Sequence, residues 1–439
     1  MKRFFFLLID FIVYLALIAL IVMLRHGGLN SKPFLQNCQI LVPLFLVISV
    51  VLDIFSFYDL NLLRKSRTDY KNILIAFIIS LFASAAFIYF MAPVLNIATP
   101  KIVLLGVFVL YFCWTYVSRK IYSKFTFSKT NILIFGKSRT INAIKKEIDS
   151  SVHYNIVGEY ETAKADIDYP SNVDEILIAS KLFKQDSASW DIIAQKLLMK
   201  GYLLTTDLIM YEKVCKKISK EGIKDTMWLL RGIASRQDSN ISHIIKRMMD
   251  FIFAFCLLPI FLPIMVVVYL VIKMIDKFDP VFRQERVGQH EKQIFIYKFR
   301  TMKPGTENIT KLGSILRRFR LDEVPQLLNI LKGDISIVGP RPIYQDEYAF
   351  LNKYVPSHAV RSIVKPGLTG WAQLNFKAPP TYCVQNLNLE EKPTDEIFDA
   401  AFKRLAYDVW YIKNQSFFLD LEIILKTAKR AFIKDSHVS

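Results

Sequence analysis

Five long apolar stretches constrain the fold of this chain more than any other feature. Four of them lie in the first third, at about Phe4–Leu24, Cys38–Phe57, Asn72–Met91 and Ile102–Val117. A helix needs about 20 apolar residues to cross the hydrocarbon core of a bilayer. The first three stretches reach that length, and the aromatic edge of the fourth extends it into the interface. These stretches predict a bundle of four transmembrane helices over residues 1–120.

The composition agrees with a membrane protein that handles anions. Hydrophobic residues make up 53% of the 439 residues, yet the net charge is +18. That balance favours anionic partners such as lipid headgroups or phosphorylated metabolites. Nucleic acid is not expected as a partner, because no nucleic-acid motif is present. The five cysteines contain no CxxC pair, which favours neither a zinc site nor a disulfide framework and points to a reducing compartment.

The basic residues of the short loops predict how the bundle is oriented. The predicted cytoplasmic side carries Lys2, Arg3, Arg64, Lys65, Arg67, Lys71, Arg119, Lys120, Lys124 and Lys129. The opposite side carries only Arg25, Lys32 and Lys101. Both ends of the bundle are therefore expected in the cytoplasm. Asp53 is an acid late in the second stretch, where solvation of a helix end is favoured over a functional role.

Residues 131–235 alternate between short apolar runs and helical patterns. Runs such as Asn131–Phe135 and Glu175–Ala179, separated by helical segments, predict a small Rossmann-like α/β module. The dinucleotide fingerprint needs three glycines, of which only Gly136 is present. We therefore expect no bound dinucleotide and predict a structural or regulatory module.

The fifth apolar stretch, Phe251–Ile272, contains two prolines in its middle. Pro259 and Pro263 each remove a helix hydrogen bond, and basic residues flank the stretch on both sides. Together these features predict a helix-break-helix over residues 247–272 that enters and leaves the membrane by the same face. A kinked fifth span, which would place the rest of the chain on the other side, is the alternative.

A dense group of charged residues follows this stretch. Its cations suit phosphate oxygens, and they include Lys298, Arg300, Arg317 and Arg341. Two adjacent carboxylates, Asp322 and Glu323, lie among them. As a capping arrangement, Asp322 would begin a helix with Pro325 in its first turn. The surrounding cations favour a second interpretation, in which the two carboxylates hold Mg²⁺ and attack phosphorus.

The C-terminal segments Ala400–Ile412 and Phe417–Phe432 are amphipathic. The aromatic residues expected on one side are Trp410, Tyr411, Phe417 and Phe418, with lysines and arginines supplying charge. The pattern fits interfacial helices on anionic headgroups, and core packing explains it equally well. The C-terminal domain, residues 241–439, is predicted to be mainly α-helical.

Six motifs in a fixed order carry a resemblance to a known family. They are Lys246-Arg247-x-x-Asp250, Gln284-Glu285-Arg286-Val287-Gly288, Lys298-Phe299-Arg300-Thr301-Met302, Leu321-Asp322-Glu323-Val324-Pro325-Gln326, Gly339-Pro340-Arg341-Pro342 and Lys365-Pro366-Gly367-Leu368-Thr369-Gly370. Residues 241–434 closely resemble the bacterial sugar transferases, the monotopic polyprenyl-phosphate phosphoglycosyl transferases. The preceding bundle and Rossmann-like module resemble the long form of that family.

The resemblance implies a two-step reaction. Asp322 would attack the β-phosphorus of a UDP-sugar, release UMP and form an aspartyl-phosphosugar, which undecaprenyl phosphate would then attack. Mg²⁺ would bind at Asp322 and Glu323. The phosphate-binding residues would be Lys298, Arg300, Arg317 and Arg341.

The resemblance also implies where the protein works. Lys246, Arg247 and Asp250 would anchor the domain at the membrane interface, with Pro259 and Pro263 at the re-entrant break. The expected location is the bacterial inner membrane, multi-pass, with the catalytic domain on the cytoplasmic face and a homodimer possible. Exopolysaccharide, capsule or O-antigen synthesis would begin with this step.

Two departures from the family pattern and two other functions stay open. Leu262 stands where many relatives have serine, and the linker Met302–Leu316 is short. A membrane-bound nucleotide-sugar dehydratase or epimerase would need an intact glycine fingerprint and a well-placed Tyr-Lys pair, and both are missing. A non-catalytic scaffold of a polysaccharide assembly complex would use the basic surface to hold lipid or a partner. The sequence does not identify the sugar.

Overall fold

The protein forms two compact units. The computed structural model describes residues 2–26, 31–54, 76–82, 84–85, 87–89, 101–125, 129–149, 154–161, 172–185, 187–237, 240–306, 308–355, 357–377 and 392–432. The first unit is Met1–Thr130 with Ser151–Tyr154, and the second is Asn131–Ser150 with Asn155–Ser439. The Rossmann-like and C-terminal segments, predicted as separate domains, therefore share one compact unit.

The first unit is helical and apolar. Its long helices are α1 (Lys2–His26), α2 (Ser31–Ile54) and α3 (Lys101–Phe125). Each is long and apolar enough to cross a membrane. The third predicted stretch gives a shorter apolar helix, Ala76–Tyr89, whose predicted ends at 72–75 and 90–91 lie outside the described residues. With a fourth long apolar helix in the second unit, these elements indicate a membrane protein.

A buried ion pair joins two helices of the first unit. Arg119 on α3 donates to both carboxylate oxygens of Asp10 on α1, at 2.9 and 2.5 Å, and Trp114 Nε1 donates to the same carboxylate at 3.1 Å. Asp10 is fully buried. Counting Arg119 as a loop cation was therefore wrong, because α3 continues past Val117 and turns this side chain inward. The side chain of Asp53 lies outside the described residues.

The second unit begins with a four-stranded sheet of order β2-β1-β3-β4, in which β1 pairs parallel with β3 and β3 with β4. The strands are β1 (Thr130–Phe135), β2 (Tyr154–Tyr160), β3 (Glu175–Ile178) and β4 (Leu203–Thr206). The helices are α4 (Arg139–Asp149), α5 (Ser180–Gln185), α6 (Ser187–Met199), α7 (Asp207–Cys215), α8 (Lys220–Lys224) and α9 (Thr226–Gln237). The predicted small parallel sheet is confirmed, and β4 is an addition.

The remainder of the unit is mainly helical. Its helices are α10 (Asn240–Val271), α11 (Lys311–Arg318), α12 (Gln326–Lys332), α13 (Gln345–Tyr354), α14 (Trp371–Asn375), α15 (Asp395–Asn414) and α16 (Phe417–Phe432). The strands are β5 (Val281–Val287), β6 (Gln293–Phe299), β7 (Ser336–Val338) and β8 (Gly367–Thr369). An antiparallel hairpin joins β5 to β6, and β7 pairs parallel with β8.

Helix α10 packs along one side from Asp250 to its C-terminal end. Residues at spacings of three or four face the protein, and these are Asp250, Ala254, Leu257, Phe261, Met265, Val268 and Ile272. The other side is exposed and apolar, with Phe251, Phe255, Leu262 and Val267 at least half or nearly half accessible. A helix of this length spans about 48 Å. Because these contacts continue from Asp250 to Ile272, this part of α10 stays at the same compact unit.

The expected division of α10 into two helices is wrong. A single helix passes through Pro259 and Pro263, both of which are exposed, and a short π-helix follows at Ile272–Asp276. Each proline lacks one hydrogen-bond donor. Because the rings lie on the outer side, the inward contacts of Leu257 and Phe261 are kept across the two positions.

The polar residues at the start of α10 bind the protein itself. Arg247 donates to the carbonyl oxygens of Ile330 and Leu331, at 2.6 and 2.7 Å, and so caps the end of α12. Asp250 accepts hydrogen bonds from Ser336 Oγ and Ile337 N, both at 3.0 Å. Lys246 Nζ lies 2.6 Å from Asp420 Oδ2 and also donates to Val338 O and Tyr411 Oη. These contacts fasten α10 to the catalytic part, and headgroup binding by the three residues stays a prediction.

Two glycine motifs meet through their backbones. Gly339 N donates to Thr369 O at 2.9 Å, and Gly367 N donates to Pro340 O at 2.8 Å. A Cβ on Gly339 would clash with the carbonyl oxygen of Lys365. The glycines therefore allow the two loops to touch, which fixes the segment that carries Arg341.

The two C-terminal helices differ in exposure. Trp410 and Tyr411 of α15 are buried in the core, 8% and 1% accessible. Phe417 and Phe418, at the start of α16, are 46% and 78% accessible. The expectation that these aromatic residues share one side was wrong, because the turn between α15 and α16 directs the two pairs to different surroundings.

Candidate active site

The two carboxylates lie in a tight turn between α11 and α12. Arg320 has a left-handed backbone (φ 54°, ψ 24°), and Leu321–Glu323 forms one turn of 3-10 helix. A left-handed non-glycine residue costs about 1–3 kcal/mol, which the surrounding contacts must offset. Leu321 provides such a contact by packing against Val268, Ile272 and neighbouring apolar residues. The apolar end of α10 thus holds the turn that presents Asp322.

Asp322 is half-buried, and few hydrogen bonds reach its carboxylate. Burial raises the pKa of its carboxyl, the neighbouring charge of Glu323 raises it further, and Lys298 and Arg317 oppose both effects. Its own backbone N–H also favours the charged form of the carboxyl. Glu323 lies 3.6 Å from Arg320 Nη1. The pair therefore combines an ion-paired carboxylate with one whose oxygens remain available.

Two of the predicted cations surround this pair. Lys298 is on β6, and burial lowers the pKa of its amine while Glu323 and Asp322 favour the charged form. Arg341 follows β7, and loss of hydration together with Arg404 lowers its pKa, whereas Glu323 acts in the opposite direction. Lys298 on β6 and Arg341 beyond the end of β7 thus place two cations near the carboxylates.

The other two predicted cations have different surroundings. Arg317 Nε donates to Thr301 Oγ1 at 2.9 Å, and its charge acts on Asp322. Arg300 lies beside the rings of Phe278 and Phe282, at 5.9 and 5.4 Å from their centroids. Its Nε is buried without a hydrogen-bond partner in the described part of the chain. The structure therefore brings Arg317 to the carboxylates and does not show Arg300 there.

One cation was missed by the sequence reasoning about site residues. Arg286 on β5 is buried, its guanidinium carbon lies 3.3 Å from the ring centroid of Tyr344, and its Nη2 donates to Gln284 Oε1 at 2.7 Å. Burial lowers its pKa to about 10, and the charge of Arg341 contributes to that shift. The motif Gln284–Gly288 was the available signal, but it did not identify a role.

The donor set fits a Mg²⁺ ion shared with a substrate. Among the described residues, no group of three or more His, Cys, Asp or Glu side chains could hold a metal by itself. Mg²⁺ commonly binds through one or two carboxylates and completes its shell with water and phosphate oxygens. The adjacent carboxylates of Asp322 and Glu323, which belong to no such larger group in the described part of the chain, match that type of site.

The class of protein follows from these features. A half-buried carboxylate pair is surrounded by lysine and arginine, on a helical unit with an apolar helix exposed along one side. Such a site suits chemistry on a phosphate ester next to a membrane.

Comparison with known proteins identifies the family. A family profile described as bacterial sugar transferase matches residues 241–434. An uncharacterized sugar transferase of Bacillus subtilis is 36% identical over 202 residues, which cover 44% of this chain and 89% of that protein. The chain belongs to the bacterial sugar transferase family, so the predicted family is confirmed.

Relatives with named reactions are matched over a smaller share of their length. The UDP-N-acetylgalactosamine-undecaprenyl-phosphate N-acetylgalactosaminephosphotransferase of Aeromonas hydrophila is 32% identical over 209 residues, 45% of this chain and 46% of that protein. The UDP-glucose:undecaprenyl-phosphate glucose-1-phosphate transferase of Escherichia coli is 32% identical over 210 residues, 44% of this chain and 42% of that protein. The match thus spans less than half of these two proteins.

Proposed function

We propose that this chain transfers a sugar-1-phosphate from a UDP-sugar to undecaprenyl phosphate. The observation that carries the proposal is the half-buried Asp322, next to Glu323 and among the charges of Lys298 and Arg317. The named relatives act on UDP-sugars and undecaprenyl phosphate, which supports the same pair of substrates here.

In the first step, a carboxylate oxygen of Asp322 attacks the β-phosphorus of the UDP-sugar. The new bond joins that oxygen to phosphorus, and the bond from phosphorus to the bridging oxygen of UMP breaks. UMP leaves with the bonding electron pair, and no proton has to move. Few hydrogen-bond donors reach the Asp322 carboxylate. This favours its role as a nucleophile, because a carboxylate saturated with donors is a poorer nucleophile.

In the second step, a phosphate oxygen of undecaprenyl phosphate attacks the same phosphorus. The bond from Asp322 to phosphorus breaks, the carboxylate is restored, and a lipid diphosphate sugar is released. Lys298 and Arg341 would hold the phosphoryl oxygens through both steps. Mg²⁺, held by Asp322 and Glu323 with substrate oxygens, would neutralise the developing charge.

The proposal places this reaction at the cytoplasmic face of the bacterial inner membrane, as the first step of a surface polysaccharide or glycoconjugate. The exposed apolar side of α10 supports anchoring in one leaflet. From Asp250 onward, α10 stays in contact with the rest of the domain. A membrane-spanning helix that leads away from the domain fits these contacts less well. Cysteine labels before Lys246 and after Lys277 should both be accessible from the cytoplasm alone, and periplasmic labelling of the second would reject re-entry.

The assay uses the purified full chain with undecaprenyl phosphate, Mg²⁺ and a panel of UDP-sugars. Release of UMP is measured for the parent, for Asp322→Asn, and for the matched control Asp279→Asn, an exposed carboxylate that accepts a hydrogen bond from Val281 N. We expect release by the parent and the control and its loss in Asp322→Asn. Mass spectrometry of a stopped reaction without lipid should locate a phosphosugar adduct on Asp322. Equal release by all three proteins would reject this nucleophile, and no release with any sugar would favour a scaffold.

A further inference from the structure

A network of buried charges converges on the backbone of Arg341. Arg361 Nη2 donates to the carbonyl oxygen of Arg341 at 2.9 Å, and Arg404 Nη2 donates to the same oxygen at 3.4 Å. Arg361 belongs to the short 3-10 helix His358–Ile363, and Arg404 belongs to α15. Two guanidinium groups from distant parts of the chain thus hold one peptide group at the edge of the candidate active site.

Each of these arginines forms an ion pair with a buried carboxylate, although Asp408 Oδ2 accepts no hydrogen bond in the described part of the chain. Arg361 Nη2 lies 3.0 Å from Asp408 Oδ2, and both side chains are at least 95% buried. Arg404 Nη1 lies 3.6 Å from Glu347 Oε1, with side-chain accessibilities of 12% and 5%. Burying charges costs several kcal/mol per ion before pairing, so an arrangement of four buried charges around one backbone oxygen needs an explanation.

Core stability alone explains the network poorly, because well-packed apolar residues often stabilise a core as well as a buried ion pair does. A network that points its donors at one backbone oxygen fixes that peptide in position. The network fixes the backbone of Arg341, and the side chain of Arg341 lies near the charges of Glu323 and Arg320.

The opposite side of α15 is held by the Rossmann-like module. Ile218 N donates to Ala406 O at 3.1 Å, and Trp410 Nε1 donates to Glu212 O at 3.1 Å. Lys413 Nζ lies 2.8 Å from Glu212 Oε1. Because α15 is fastened on this side, Arg404 and Asp408 project from a fixed base.

We propose that Asp408, acting through Arg361, and Glu347, acting through Arg404, are positioning residues that set the place of Arg341 for a substrate phosphate. The assignment rests on the proposed function of the site. None of the four touches the reacting atoms in this account. Their effect is passed through the peptide group of Arg341.

A double-mutant cycle on the full chain tests this role. Initial rates of UMP release give kcat/KM for the parent, Asp408→Asn, Arg341→Ala and the double variant, and Lys403→Ala is the control. Lys403 lies on the same helix in an exposed ion pair with Asp399. We expect Asp408→Asn to lower kcat/KM about tenfold, chiefly through KM for the UDP-sugar. In the Arg341→Ala background it should lower kcat/KM less than about twofold further.

Independent effects of the two substitutions would overturn the proposal, since a merely structural role lowers activity whether or not Arg341 is present. If thermal unfolding shows that Asp408→Asn does not fold, Arg404→Gln takes its place in the same cycle, with the same two outcomes. If the parent releases no UMP, the proposed function fails, and inorganic pyrophosphate becomes the probe. Asp408→Asn and Arg341→Ala should then each weaken pyrophosphate binding, and the double variant should bind no more weakly than Arg341→Ala. Unchanged binding in Asp408→Asn would reject the positioning role.

Discussion

Asp207 and Asp322 are two carboxylates of one compact unit with contrasting surroundings. Asp207, at the start of α7, is buried and accepts hydrogen bonds from Ser138 Oγ at 2.8 Å, from Ser180 N at 2.9 Å and from Ser180 Oγ. Asp322 has its own backbone N–H as donor in the described part of the chain and a like charge beside it. A carboxylate saturated with donors fastens structure together, whereas one that lacks them keeps lone pairs available for phosphorus.

The position of Asp207 also bears on the Rossmann-like module. The crevice beyond the carboxyl ends of β1 and β3 is where doubly wound sheets bind ligands. Here Ser138 and Ser180 follow those strands and both donate to Asp207. A carboxylate of the chain thus occupies donors that could otherwise face a phosphate.

The largest expected effect tests the reactive side of this comparison. Asp322→Asn keeps the shape of the side chain and removes the charge of the proposed nucleophile. We expect the rate of UMP release to fall by about 10⁴-fold or more, as for other lost nucleophiles. The denaturation midpoint of the full chain in detergent should not fall, because burial and Glu323 already disfavour this charge in the folded state. If Asp322→Asn lost much of its stability and kept its activity, Asp322 would have a structural role and not a reactive one.

The next effect tests the saturated side. Asp207→Asn replaces acceptor oxygens by an amide that cannot accept from all three donors. We expect a loss of about 1–3 kcal/mol in the free energy of unfolding, measured by chemical denaturation of the full chain. UMP release should change far less than in Asp322→Asn. An unchanged unfolding curve would show that the three hydrogen bonds add nothing to stability.

A third test extends the comparison to a buried histidine. His358 Nδ1 lies 3.0 Å from Asn352 Oδ1, and burial, with Arg361 and Arg404 nearby, lowers the pKa of His358 well below 6.5. As pH falls, His358 is therefore protonated in the unfolded chain at a higher pH than in the folded chain. Below about pH 6.5 the free energy of unfolding should decrease by up to about 1.4 kcal/mol per pH unit from this group.

The measurement is the pH dependence of denaturation for the parent, for His358→Gln and for the exposed control His243→Gln. Between about pH 5 and 6.5, the free energy of unfolding should depend less steeply on pH in His358→Gln than in the parent, by the equivalent of one bound proton. The control His243→Gln should keep the slope of the parent. Identical slopes in the parent and His358→Gln would show that this histidine is not held neutral.

The smallest expected effect concerns the orientation of Arg317. Thr301→Val removes the hydroxyl that accepts from Arg317 Nε and preserves the shape of a buried side chain. We expect kcat/KM for the UDP-sugar to fall about two- to fivefold, the size of one hydrogen bond. The control is Thr306→Val, an exposed hydroxyl that donates to Lys303 O at 3.2 Å. Equal effects of the two changes would remove Thr301 from the site.

Much of the site could be predicted because its residues lie in short motifs. Asp322 and Glu323 are adjacent in the sequence, and Lys298 and Arg341 belong to the motifs before and after them. Predicting one site therefore required only the assumption that these three motifs come together in the fold. Arg300, two residues from Lys298, was predicted at the same site, yet the structure shows it beside aromatic rings. Residues two apart on a strand point to the same face, so strand geometry alone predicts that Lys298 and Arg300 lie together. The packing around the hairpin is what gives them different surroundings.

Other features had no local signal. Asp10 and Arg119 are 109 residues apart, and neither residue's neighbours indicate the other. The network of Arg361, Arg404 and Asp408 around the Arg341 carbonyl also depends on contacts between segments distant in sequence. Helix α10 was predicted in two pieces because the cost of a proline is local, whereas the packing that keeps the helix continuous is not.

Local sequence patterns were enough to predict the apolar helices, the small α/β module, the family and the candidate carboxylate pair. Each of these depends on residue types close together along the chain, where hydrophobic period and motif spacing carry the information. Only the tertiary structure decided which charges meet, which carboxylate is saturated and which is left available. Electrostatic energies depend on distance in space and on burial, and neither quantity is written in local sequence.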